Sequence, residues 1–260
     1  MTIKTEKSPK EVMDGNTSSE NARGAHELEL KSSHSNTSAT SEDEWHDLPE
    51  DVYNLGFVSE YWGEAFYYAF YICALKLSFF TFLIVQGIKV LRTAPKLNPT
   101  ENSMLLAIQF LMLPVAIAIQ DDLISTIFIV CNLKYDEKIE EKYPCATKFK
   151  FYLFNIFRGI DGFYSLAVNF VVLLTAQNIL GVFLNFAALL FLTSIDNMAL
   201  ELACSGYLTD SMEDQAHNAK EARLPRNHNK LLRSMDSVLF FVTLIILIIV
   251  WCIYHFALDD

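Results

Sequence analysis

Residues 154–170 read FNIFRGIDGFYSLAVNF, and this stretch decides the fold class. Most of its residues are apolar, yet it also contains Arg158, Asp161 and two asparagines. It lies inside a longer run, residues 149–176, which is long enough to cross the roughly 30 Å hydrocarbon core of a bilayer. Charged residues inside such a run cost about 2.5–3.5 kcal/mol each on insertion scales. The stretch therefore predicts a membrane helix whose polar side chains face protein or water rather than lipid.

Four more apolar runs accompany this one in a chain of 260 residues that is 52% hydrophobic. Their bounds are 65–91, 104–133, 179–202 and 238–256. Runs of this length are typical of membrane helices. We therefore expect an all-α integral membrane helix bundle, with a multi-pass membrane domain over residues 61–258 and a membrane location.

Polar sequence surrounds the apolar runs. Residues 1–60 hold 5 Lys and Arg against 13 Asp and Glu, and their Ser-, Thr- and Asn-rich composition predicts a disordered acidic tail. Within it, WHDLPEDVYNLGF is expected to form a short interfacial piece, and no apolar segment at the N-terminus suggests a cleaved signal peptide. Residues 203–236 form a polar loop between the last two runs, in which DSMEDQAHNAKEAR has helical character.

The run at 104–133 is interrupted, and two interpretations of it stay open. Pro114 is expected to kink it, and Asp121 and Asp122 divide it into two shorter pieces. It either crosses once as a kinked span or enters and returns as a re-entrant element. The re-entrant form is favoured slightly, because it brings three flanking groups of Lys and Arg to one side. Those bases would then be cytoplasmic and the N-terminal tail non-cytoplasmic.

Polar and charged residues within the runs are the candidate functional residues. Two pairings are predicted: Lys76, which is deepest, should face the bundle and contact Asp161 or Asp196, and Arg158 should pair with Asp161 three residues away. The full set is Lys76, Asp121, Asp122, Arg158, Asp161, Asn169, Asn185 and Asp196.

Each candidate group has a structural and a functional interpretation. The polar face of the run at 149–176 either packs against neighbouring helices or lines an aqueous pathway, and packing is favoured. Asn185 is likewise assigned to a packing surface. Asp121 and Asp122 form either a helix end in contact with water, which is favoured, or the rim of a cation site.

Several strings resemble a known family: AIQDDL, GVFLNFAALLFLTSIDNMALELA, GYLTD and LPRNHN. They are similar to strings in a family of multi-pass membrane proteins of unicellular algae that has no established activity. The resemblance covers roughly residues 104–256. It implies a membrane protein and assigns no functional residue.

Composition and motifs narrow the function classes. The net charge of −11 argues against nucleic-acid binding. The five cysteines form no C-x-x-C pair, and no metal, cofactor or catalytic signature is present, so no cofactor is indicated and an enzyme is not expected. We therefore expect a scaffold or subunit of a membrane complex, in contact with the lipid bilayer and other membrane proteins. A small ion channel or transporter that uses the intramembrane charges is the alternative, and a membrane-bound enzyme is the third.

Overall fold

The computed structural model describes residues 45–93, 102–227 and 230–257, and this part of the chain is mostly helical, as predicted. The elements in chain order are β1 (Trp45–Asp47), α1 (Val52–Val58), α2 (Glu64–Thr93), α3 (Ser103–Ala118), α4 (Asp121–Asn132), α5 (Lys138–Lys142), α6 (Lys148–Thr175), α7 (Ile179–Thr193), α8 (Ile195–Cys204), α9 (Asp210–Lys220), β2 (Arg223–Pro225) and α10 (Lys230–Cys252), followed by a π-helical turn at Ile253–Ala257.

Four helical segments are long and apolar enough to cross a membrane. They are α2, α6, the successive helices α7 and α8, and the stretch Ser237–Phe256. Helices α3 and α4 together make a fifth candidate, bent by 49° at the break between them. The five predicted apolar runs coincide with these five segments.

Helices α2 and α6 run in the same direction. Near their starts, the rings of Phe66 and Phe154 lie edge to face with centroids 5.7 Å apart. Farther along, Gly87 lies against Val171, so closely that a Cβ on the glycine would be 2.4 Å from Val171 Cγ1. Because the two helices are parallel, residues 94–147 must bring the chain back from the end of α2 to the start of α6.

Helices α3 and α4 bring the chain back along α6, from the end of α6 toward its start. In α3, the amide of Gln109 donates to the carbonyl of Leu173, near the end of α6, at 3.0 Å. In α4, Leu123 lies against Gly162, nearer the middle of α6. One turn later in α4, Thr126 lies against Gly159, which is closer to the start of α6. This is the course of one bent segment. The favoured re-entrant hairpin is therefore wrong, because its two halves would return to the same end of α6.

The break in this segment does not lie at Pro114. Helix α3 continues past the proline, and the helical hydrogen-bond ladder ends at Ile119 and Gln120, where Gln120 adopts φ −90° and ψ 77°. Helix α4 then begins directly with Asp121 and Asp122. The break consequently sets these two carboxylates at the N-terminus of a helix in the interior of the segment.

Residues 45–60, which the sequence assigns to the disordered tail, are folded. All seven residues of α1 are buried, and the Asp51 carboxylate caps the helix by accepting the N–H of Asn54 at 2.9 Å. Gly56 allows α1 to approach α6, since a Cβ there would lie 2.2 Å from the ring of Phe154. The remainder of the predicted tail, residues 1–44, lies outside the described residues.

The described residues of the predicted polar loop at 203–236, which are all but 228 and 229, are folded as well. Its predicted helix is α9, which packs against α1 and α8. Strand β2 follows and pairs antiparallel with β1, placing His46 opposite Leu224. We call the end of the bundle that carries α1, α9 and the start of α6 the cap end. The opposite end, which carries residues 176–178 between α6 and α7 and the start of α3, is the turn end.

The course of α3 and α4 predicts which residues share a side of the membrane. Ser103, at the turn end, and Lys138, in the connection at the cap end, are both exposed. Ser103→Cys and Lys138→Cys should react with a membrane-impermeant maleimide from opposite sides of sealed vesicles, with the wild-type chain as the background for native cysteines. Labelling of both positions from the same side would contradict the single bent segment.

Candidate functional site

Lys76 lies in the middle of α2 and is 1% exposed. Its ammonium contacts three carboxylates: Nζ lies 2.9 Å from Asp122 Oδ2, 2.6 Å from Asp161 Oδ2 and 2.7 Å from Asp196 Oδ1. A fourth contact runs to the backbone carbonyl of Thr193 at 3.1 Å. The predicted contacts of Lys76 with Asp161 and Asp196 are therefore present together, and Asp122 is a third partner.

The three aspartates come from three different helices. Asp161 lies mid-way along α6, whereas Asp122 and Asp196 are each the second residue of a helix that follows a break, α4 and α8. The N-terminus of a helix carries a partial positive charge that favours a nearby carboxylate. Thr193 is the last residue of α7, and carbonyls at the end of a helix lack a partner within that helix. The carbonyl of Thr193 instead accepts a hydrogen bond from Lys76. The two helix breaks thus supply both the acidic groups and a carbonyl ligand.

Tyr53 of α1 closes the site from the cap end. Its hydroxyl donates to Asp161 Oδ2 at 2.8 Å, and Lys76 Nζ lies 5.8 Å from the centre of its ring. Burial first, and the charges of Asp122 and Asp161 next, raise the pKa of Tyr53 well above its ordinary value. The hydroxyl therefore stays protonated and acts as a permanent donor to Asp161.

A second ion pair, between Arg158 and Asp51, also lies next to Tyr53. Arg158 Nε and Nη2 donate to the two oxygens of Asp51 at 2.9 and 2.7 Å, and Nη1 donates to Asn155 Oδ1 at 2.9 Å. The guanidinium carbon lies 5.3 Å from the centre of the Tyr53 ring. Arg158 is as buried as Lys76. The predicted pairing of Arg158 with Asp161 is therefore wrong: Arg158 binds Asp51 of α1, and Asp161 binds Lys76 and Tyr53.

The two ion pairs form one cluster with unequal charges. Oxygens of Asp51, Asp122 and Asp196 lie within 4.8 Å of one another, so the Arg158 pair adjoins the Lys76 group. Four aspartates thus share two bases. One oxygen of Asp161, Oδ1, is buried and has no hydrogen-bond partner in the part of the chain that the structure describes. We call this group, Asp51, Tyr53, Lys76, Asp122, Arg158, Asp161 and Asp196, the acidic cluster.

The composition of the acidic cluster suits a positively charged ligand. Carboxylate and carbonyl oxygens are the ligands that hard cations prefer, and protons neutralise carboxylates equally well. An uncompensated charge in a region of low dielectric constant is costly. Binding of a proton or a cation would reduce the excess negative charge.

The other predicted candidates lie outside the acidic cluster. Asp121 is exposed, in contrast to its buried neighbour Asp122. The favoured interpretation of this pair as a helix end in water is therefore wrong for Asp122 and stays a prediction for Asp121. Asn169 is buried on α6, and none of the described residues is a hydrogen-bond partner of its side chain. Asn185 is partly buried on α7.

Sequence reasoning missed Asp51 and Tyr53. Both fall in the segment assigned to the acidic tail, where aspartate and glutamate are so common that composition does not distinguish Asp51 from its neighbours. The signal that could have found them is Asp51 followed by VYNLGFV, since an aspartate directly before an apolar stretch is a helix N-cap pattern.

Comparison with family models, curated proteins and solved structures found no match to this chain. The resemblance to a membrane-protein family of unicellular algae therefore stays a prediction.

The partner of Arg158 can be tested by double-mutant cycles. Asp51→Asn and Arg158→Gln should be strongly coupled, within the usual range of about 0.5–3 kcal/mol for residues in contact. Asp161→Asn and Arg158→Gln should show the smaller coupling energy, because Asp161 is held by other groups. Denaturant unfolding of the purified protein in micelles measures both cycles. A larger coupling energy for the Asp161 cycle would refute the assignment.

Proposed function

We propose that this chain is a multi-pass membrane protein that crosses the bilayer five times and moves a cation across it. Five segments of sufficient length and apolarity support the membrane part. Large apolar side chains such as Phe163, Phe241 and Ile245 are exposed on the outside of the bundle, where a bilayer would cover them.

One observation carries the transport proposal: the buried acidic cluster holds four aspartates against two bases. If all of them were ionised, two negative charges would lack a counter-charge deep in the bundle. Charged groups within membrane segments pair with one another and mark ion or proton pathways. The excess makes the acidic cluster a site for a proton or a small hard cation, whose binding completes the charge balance.

A purely structural role, which the sequence alone favours, accounts less well for this arrangement. Replacing a buried ion pair by packed apolar residues is often neutral or even stabilising. A scaffold therefore gains little from seven polar residues at its centre. A site that binds and releases a charged ligand needs them.

The burial of the acidic cluster favours a transporter over an open channel. Lys76, Asp161 and Asp196 are each 1% exposed, and Asp122 is 8% exposed. Helix α1 covers the acidic cluster from the cap end. A site closed in this way releases its ligand only after a change of conformation.

The helix breaks supply a structural basis for such a change. In many transporters, discontinuous helices near the bilayer midplane form the substrate and ion sites, with helix N-termini and unwound carbonyls as ligands. The breaks before α4 and α8 provide the same parts here.

The distribution of bases suggests the orientation. The connections at the cap end contain five bases, whereas the end of α2 at the turn end contains two, Lys89 and Arg92. The five are Lys134, Lys138, Lys142, Lys220 and Arg223. Cytoplasmic loops are enriched in Lys and Arg. We therefore place the cap end in the cytoplasm, together with Trp45. This reverses the expectation for the N-terminal tail, which depended on the hairpin.

A flux assay tests the proposal. The purified protein is reconstituted into liposomes that contain a pH-sensitive dye or a dye selective for the cation under test, and gradients of protons, Na⁺, K⁺, Mg²⁺ and Ca²⁺ are applied in turn. The wild-type chain should dissipate at least one gradient, alone or in exchange for protons. Asp122→Asn should lower the rate to near that of protein-free liposomes, because it removes one carboxylate of the acidic cluster.

Asp121→Asn is the matched control. It makes the same chemical change one residue earlier, at an exposed position, and should leave the rate unchanged. Melting temperatures of both variants check that they are folded. No flux above protein-free liposomes under any gradient, or equal loss in the two variants, would sink the transport proposal.

A further inference from the structure

A second group of buried polar residues extends from the acidic cluster toward the turn end. Asp161, Ser165 and Asn169 follow one another on α6 at intervals of four residues, so they lie on one face of the helix on successive turns. Leu173 continues the series, and Gln109 of α3 donates to its carbonyl. From Asp161 to Leu173 the helix rises by about 18 Å, which is more than half the thickness of a bilayer core.

The described residues supply no hydrogen-bond partner for at least one side-chain polar atom in each of Asp161, Ser165, Asn169 and Gln109. These atoms are Asp161 Oδ1, Ser165 Oγ, Asn169 Oδ1 and Nδ2, and Gln109 Oε1. The four residues are at most 1% exposed. A buried polar atom without a hydrogen bond costs about 1–3 kcal/mol, and most such atoms in proteins are paired with protein or ordered water. Four successive exceptions on one path call for a shared partner.

Gln120, directly before α4, is a fifth buried residue of this kind. Leu123 lies against Gly162 and Thr126 against Gly159, so the two helices run antiparallel in this register. Gln120, one turn before Leu123, therefore lies at the level of Ser165. It is buried, and its Oε1 has no partner either. It also marks the break between α3 and α4, where the segment is bent.

The series ends at a surface depression of the turn end. This depression is lined by residues of α3 and of the turn between α6 and α7, among them Asn102, Gln177 and Asn178. Gln109 stands below it and donates also to the carbonyl of Ala176 at 3.4 Å. Polar groups thus extend from the turn-end surface to Asp161.

We propose that water molecules bridge these atoms and form a path from the turn end to the acidic cluster, by which hydrated protons or small cations reach it. A water molecule in a protein makes two to four hydrogen bonds, and the unpartnered atoms supply donors and acceptors for them. On the cap side of the acidic cluster, Tyr53 donates to Asp161 and Arg158 is paired with Asp51, so the path ends there. The proposal rests on the transport function and names the side from which the site is filled in this conformation.

Silver ions test the path without requiring transport. Ag⁺ is a small hydrated cation that binds thiols, so it reports where water carries ions. Ser165→Cys, which changes the side chain least, and Asn169→Cys are reconstituted in sealed vesicles of known orientation. Ag⁺ is added to one side, excess silver is removed, and the unfolded protein is alkylated. Peptide mass spectrometry then reads each thiol separately, so that the native cysteines stay in place.

Val168→Cys is the matched control, because Val168 is equally buried at the same depth but packs in an apolar cluster with Phe80 and Leu189. Reaching a packed thiol requires local opening, and an opening that costs about 1.4 kcal/mol or more slows the reaction about tenfold or more. Ser165→Cys and Asn169→Cys should therefore react at least about tenfold faster than Val168→Cys, and only from the turn end.

The outcomes separate this proposal from the transport function. If neither cysteine reacts faster than Val168→Cys, or if silver arrives from the cap end, the path is wrong, even where the flux assay is positive. If both cysteines react as expected but no gradient is dissipated in the flux assay, the path stands and the transport function fails.

Discussion

The burial of the Lys76 ammonium among three carboxylates is the interaction on which the rest of the bundle depends. A lysine in the middle of a membrane-length helix is tolerated only where other charges and hydrogen bonds replace its hydration. The chain meets this requirement with residues from α4, α6 and α8, and with the carbonyl of Thr193. Removing the ammonium would leave three buried carboxylates with no cation between them.

Two departures from regular helix follow from this requirement. An unbroken helix presents its charged groups only through side chains, whereas a break offers a helix N-terminus and a free carbonyl as well. The breaks before α4 and α8 bring Asp122 and Asp196 to Lys76 in this way. Helix α1 completes the enclosure, because Tyr53 contacts both bases of the acidic cluster and Asp51 holds Arg158.

The sequence predicts the local features well and the long-range ones poorly. Apolar runs directly show the membrane-length helices, and the depth of Lys76 correctly indicates that it needs a carboxylate. The partner of Arg158 was missed because a spacing of three residues permits a pair with Asp161 but does not exclude a competitor. That competitor, Asp51, lies 107 residues away in the chain and comes close only after α1 has packed on α6. The course of residues 104–133 was missed for a similar reason, since the parallel packing of α2 and α6 leaves no trace in hydropathy.

The central claim is that the acidic cluster lacks positive charge and takes up protons or a cation to balance it. Infrared spectroscopy of the metal-free protein at neutral pH tests this directly, because the C=O stretch of a carboxylic acid is separate from that of a carboxylate. Exposed aspartates are ionised under these conditions. We predict a carboxylic acid band in the wild-type chain that is weaker in the Asp122→Asn and in the Asp161→Asn variant, because three aspartates against two bases leave one uncompensated negative charge instead of two. The band should disappear when a bound cation supplies the missing positive charge. A metal-free protein with no buried carboxylic acid would show that all four aspartates are ionised without a cation, and would contradict the account.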